Sequence, residues 1–145
     1  MEEHLWSASR LYKQSTQSLV REHGFEDLRI EGELPTDLQG TLYRAGPFLY
    51  ESFGQPYSHP FEADGGIMAA RIGGGRAKGA TRIVQSEGLR EERAAGKPLY
   101  GSAAPWLKRI ASALQQKVKN TANTSILSWQ GRLFGLMEGA TPTEV

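Results

Sequence analysis

The sequence predicts a mainly β chain with one helix in front and a second helix inserted between hairpins. Beyond Gly24 the apolar residues come in short runs cut by Gly and Pro, which is strand texture. Two pairs of such runs are joined by glycine-bearing turns, which is hairpin texture. Two other stretches carry apolar residues at helical spacing.

Residues 5–22 form the first helical stretch. Leu5, Trp6, Leu11, Tyr12, Leu19 and Val20 recur near one face, no Pro or Gly interrupts them, and Gly24 is a stop signal. Thr41–Ala45 follows as a short strand between Gly40 and a Gly46-Pro47 turn. Ile67–Ile72 and Ala80–Gln85 flank GGGRAKG, a strand, a glycine turn and a strand. That glycine run lacks the GxxxxGK[ST] spacing of a phosphate loop, and no helix follows it, so it reads as a hairpin tip. Thr124–Trp129 and Arg132–Glu138 flank Gln130-Gly131 as a second hairpin. Between the hairpins, residues 105–119 carry Trp106, Leu107, Ile110, Leu114 and Val118 near one helical face. Lys108, Arg109, Lys117 and Lys119 interleave with them, giving a basic amphipathic helix suited to a membrane interface or to covering the sheet.

A chain of 145 residues is long enough for one domain. Two hairpins and a lone strand nevertheless leave sheet edges unpaired, which closed β proteins avoid. The run also ends just after a strand, so the sequence reads as truncated. Seventeen basic and sixteen acidic side chains give a net charge of +1, without the basic excess of a nucleic-acid binder. There is no cysteine, which excludes disulfides and thiolate chemistry. The start lacks the pattern of a signal peptide and no apolar run nears the ~20 residues a spanning helix needs, so the expectation is a cytoplasmic protein, with peripheral membrane contact left open.

Three runs stand out: GELPTDLQGTLYRAGP (32–47), HPFEADGG (59–66) and KNTANTSILSWQGRLFGLMEGATPTEV (119–145). In this order and at these distances they resemble the N-terminal part of the carotenoid cleavage oxygenases, over about residues 30–145. Two departures stand in turn positions: Ala45 where the family commonly has Asn, and Glu62-Ala63 where it has Asp-Gly.

The resemblance implies that residues 30–145 are the first part of a seven-bladed β-propeller, preceded by a helical segment, 1–29. It implies Fe(II) held by four histidines and O2-dependent cleavage of a conjugated C=C bond in a polyene to two carbonyl products. The family's four ligands lie beyond the last motif. This chain has only His4, His23 and His59, none of them expected to bind metal, so the chain alone is expected to hold no iron and to be inactive. Glu138 matches a family glutamate that hydrogen-bonds an iron-ligand histidine. Arg44, Gly46, Pro47, His59, Phe61, Asp64, Gly65, Asn120 and Asn123 match structural positions of the motifs, with Arg44 and Asp64 a potential ion pair. Asn120 and Asn123 suit turn backbone. Trp106, Leu107, Ile110 and Leu114 form the face expected to meet a membrane. The competing reading is a non-catalytic module that binds lipid or protein through this amphipathic helix.

Overall fold

In a computed structural model, the structure describes residues 15–107, 109–110 and 118–145. The chain is mainly β among these residues. Strands β1 (His23–Asp27), β2 (Gly40–Leu49), β5 (Asp64–Gly73) and β6 (Arg76–Ile83) form an antiparallel sheet in the order β1-β6-β5-β2. Two short strands, β3 (Glu51–Ser52) and β4 (Gln55–Pro56), make a small hairpin off its end. Helix α1 (Glu87–Ala95) follows β6. A second sheet, in the order β7-β8-β9, is built from Ser125–Trp129, Arg132–Leu136 and Thr143–Glu144.

Both expected hairpins are present, but the first turn is shorter than the GGGRAKG run, because β6 already starts at Arg76 and ends at Ile83. The β5–β6 turn places Gly74 and Gly75 at φ 58° and 70°, and the β7–β8 turn places Gln130 and Gly131 at φ 49° and 76°. Two consecutive left-handed residues match the right-handed twist of the flanking strands.

Other expectations are corrected. Residues 17–22 of the expected first helix are not helical. Leu19 N–H donates to Phe48 O, Ser18 Oγ accepts from Tyr50 N–H, and the chain then enters β1, with His23 opposite Thr81. Residues 5–14 of that helix lie outside the described residues. Residues 44–47 are not a turn, because β2 runs through them to Leu49, with Pro47 opposite Gly65. The pairing shifts register between Pro47 and Leu49, and such a bulge tolerates a residue that cannot donate to the ladder. Of the expected helix 105–119, residues 106, 107, 109 and 110 are helical, Val118 and Lys119 are not, and Lys108 and 111–117 lie outside the described residues.

Helix α1 was not foreseen. Ser86 caps its N-terminus by accepting from Leu89 N–H, and Gly96 closes it in the left-handed conformation at φ 63°. The small apolar core sits where the two sheets meet. Ile67, Val84 and Ala122 are buried, with Tyr43, Ile126 and Leu133 packed against them.

Candidate functional site

The second and third sequence motifs form one structural unit. His59 starts a 3-10 turn at Pro60–Glu62, with its Nδ1 accepting from Phe61 N–H at 3.2 Å. Asn123 then donates from Nδ2 to Phe61 O at 3.1 Å and Ala63 O at 2.8 Å. Gly65 N–H donates to Thr121 O at 2.7 Å. A Cβ on Gly65 would collide with the Ala122 carbonyl, so this close approach requires glycine. Asn120 Nδ2 donates to Thr141 O and Thr143 Oγ1, and its Oδ1 accepts from Ala122 N–H. The run 119–124 therefore has no ladder of its own but is tied down at almost every residue.

Its first residue is the head of a buried ionic cluster that sequence reasoning missed. Lys119 Nζ donates to Asp64 Oδ2 at 2.7 Å, Glu92 Oε2 at 2.8 Å and Tyr57 Oη at 3.1 Å. The side chains of Lys119, Asp64 and Glu92 are 6%, 2% and 0% exposed. Asp64 thus pairs with Lys119, not with Arg44 as expected. Arg44 sits across the β2–β5 ladder from Met68. Glu92 Oε1 accepts from the N–H groups of Leu99 and Tyr100, and its Oε2 also accepts from Ser52 Oγ.

Two buried carboxyl groups here share one ammonium. Burial pushes the Asp64 carboxyl above its ordinary value, against the pull of Lys119. Burial alone lowers Lys119, but Asp64 and Glu92 outweigh it and hold the ammonium above its ordinary value. Tyr57 is pushed up to about 12, by burial first and then by the charge of Asp64. Asp64 Oδ1 is buried without a hydrogen-bond partner among the described residues.

The 119–124 run leads directly to Glu138. Thr124 N–H donates to Leu136 O, and Thr124 Oγ1 donates to Glu138 Oε2 at 3.1 Å. Glu138 follows β8 in a turn and is exposed. Neither described histidine lies in a metal-binding arrangement. His59 Nδ1 is occupied by Phe61 N–H, and His23 Nδ1 lies 2.8 Å from Gly24 O. Among the described residues no three His, Asp or Glu side chains converge as a metal ion requires. His4 and Leu114 lie outside the described residues. Trp106, Leu107 and Ile110 are 66%, 64% and 50% exposed. No helix among the described residues is long and apolar enough to cross a membrane.

Comparison with known proteins gives this geometry its class. Residues 15–145 match the model of the retinal pigment epithelial membrane protein family. The apocarotenoid-15,15'-oxygenase of Synechocystis sp. is 44% identical over 120 residues, covering 78% of this chain and 24% of the relative. Resveratrol cleavage oxygenase 1 of Chaetomium globosum is 30% identical over 119 residues, covering 81% of this chain and 20% of the relative. A glutamate-to-glutamine variant of the Synechocystis apocarotenoid oxygenase superposes with a TM-score of 0.81 at 38% identity, over 92% of this chain and 29% of that one. The chain belongs to this family of carotenoid cleavage oxygenases. It spans about a quarter of the length of the curated relatives it matches.

Proposed function

We propose that this chain is the N-terminal part of an Fe(II)-dependent dioxygenase that cleaves a conjugated C=C bond of a carotenoid or apocarotenoid to two carbonyl products. The 44% identity to an apocarotenoid oxygenase, over most of this chain, carries the reading. A cobalt-substituted form of that relative, superposing with a TM-score of 0.79, supports dependence on a metal. In this reading residues 30–145 supply the first part of a seven-bladed propeller. The described residues do not fit the iron itself, so its histidine ligands belong to the rest of the parent protein. Bound by those ligands, Fe(II) would supply open coordination positions for O2 chemistry.

This chain contributes Glu138. A carboxylate bonded to the outer nitrogen of a metal-bound imidazole fixes its tautomer and orientation. Thr124 Oγ1 occupies one Glu138 oxygen and so limits how the other can turn. The exposed Trp106, Leu107 and Ile110 favour a second role at the membrane interface, where a hydrophobic substrate is taken up.

The complete protein should bind one iron per molecule and convert an apocarotenal to two carbonyl products in the presence of O2, and residues 1–145 alone should do neither. Stoichiometric iron in the 145-residue chain, by elemental analysis, would overturn the assignment of the ligands. Trp106→Glu combined with Leu107→Glu should weaken liposome binding by the complete protein without unfolding it, and unchanged binding would remove the membrane role.

A further inference from the structure

We propose that Lys119 is a positioning residue for Glu138, acting through the irregular run 119–124. Its ammonium is fixed by Asp64 at the start of β5, by Glu92 in α1 and by Tyr57, three points from separate parts of the fold. From that anchor the run has little freedom. Thr121 O is held by Gly65 N–H, Asn123 by the carbonyls of Phe61 and Ala63, and Thr124 by Leu136 O. Ala122 is fully buried at φ 47°, a left-handed conformation that an alanine adopts only when its surroundings impose it. The last residue of the run is the one that holds Glu138. A slip of the anchor therefore moves Thr124 and frees the glutamate.

Glu92 shows why the anchor needs a carboxylate. Its Oε1 serves two backbone N–H groups and its Oε2 serves Lys119 and Ser52, so both oxygens must accept. A glutamine offers one acceptor and turns an NH2 group toward one of these two sets of donors. The consequence for catalysis rests on the reading of Glu138 given above, whereas the mechanical link from Lys119 to Thr124 does not.

Amide hydrogen exchange on the complete protein tests the link, with the N–H groups of Gly65, Ala122 and Thr124 as reporters. In Lys119→Met they should accelerate at least about tenfold more than the ladder amides between Ala69 and Arg76, which report the global loss of stability. Lys119→Arg should keep the reporters within about twofold of wild type relative to the ladder, and Glu92→Gln, the gentler variant if Lys119→Met does not fold, should show the same local acceleration at about fivefold. Unchanged reporters, or equal acceleration across both hairpins, would overturn the proposal.

The Co(II)-loaded complete protein supplies a separate readout. Its ligand-field spectrum should shift in Lys119→Met as it does in Glu138→Gln, with no further shift in the double variant. Additive shifts would also overturn the proposal. A Glu138→Gln spectrum identical to wild type would remove the catalytic reading of Glu138 and leave the exchange data to decide the link.

Discussion

The β5–β6 hairpin and the run 119–124 lie side by side and are held by opposite means. The hairpin is a regular ladder from Gly66↔Ile83 to Gly73↔Arg76, closed by two glycines in the left-handed region. Most of its β6 side chains are partly or fully exposed. The run has no ladder, and buried Lys119 and half-buried Asn123 hold it in place of repeated backbone pairs. Redundant pairing tolerates the loss of any one contact, whereas a segment pinned by single groups does not.

The sharpest way to break this contrast is Lys119→Met. Removing the ammonium strands two buried carboxylates, and such changes cost about 3–5 kcal/mol. A denaturation midpoint showing a loss under about 1 kcal/mol would mean that the run is not held by its ions. Gly65→Ala comes next. The new methyl meets the Ala122 carbonyl, and overpacking of this kind costs about 1–3 kcal/mol. Asn123→Ala leaves the carbonyls of Phe61 and Ala63 without their shared donor, with an expected loss of about 1–2 kcal/mol in the same measurement.

On the hairpin side the effects should be smaller. Gly131→Ala places a methyl at φ 76° in an open turn and should cost roughly 1 kcal/mol. The smallest expected effect is a pH slope. Asp64 has a raised pKa in the folded chain, so folding takes up a proton as pH falls from that raised value toward the ordinary ~3.9. Its contribution therefore makes the protein more stable as pH drops through that window and less stable above it. Comparing denaturation midpoints of wild type and Asp64→Asn across the window should show this part of the slope vanish in the variant.

What the sequence made legible follows the same division. Gly74-Gly75 and Gln130-Gly131 announce their turns because the turn geometry selects residues locally. Glu138 was expected to end the strand Arg132–Glu138, whereas β8 stops at Leu136 and Glu138 stands in the turn beyond it. Lys119 could not be read as buried, because it stands in line with Lys108, Arg109 and Lys117 and looks like one more basic flank of a helix. Its partners lie 55 and 27 residues away, and no local pattern reports pairing at that range. Helix α1 was missed because its nine residues carry one large apolar side chain, Leu89, and so give almost no periodicity. The visible signals were Ser86 before it and Gly96 after it. The expected turn at Gly46-Pro47 failed for a related reason. Gly-Pro marks a turn in isolation, but a bulge opposite Gly65 lets the strand continue.

The long reach of the ionic cluster also sets a timetable for the nascent chain. A ribosome adds about 5–20 residues per second, so several seconds pass between the synthesis of Asp64 and that of its partner 55 residues later. The β5–β6 hairpin needs only microseconds and can close in the meantime. Until Lys119 arrives, Asp64 and Glu92 keep their charges in water, and the end of β5 that will meet the 119–124 run stays uncovered. Synthesis order thus lays down the regular ladder first and leaves the irregular run to lock onto a surface already built.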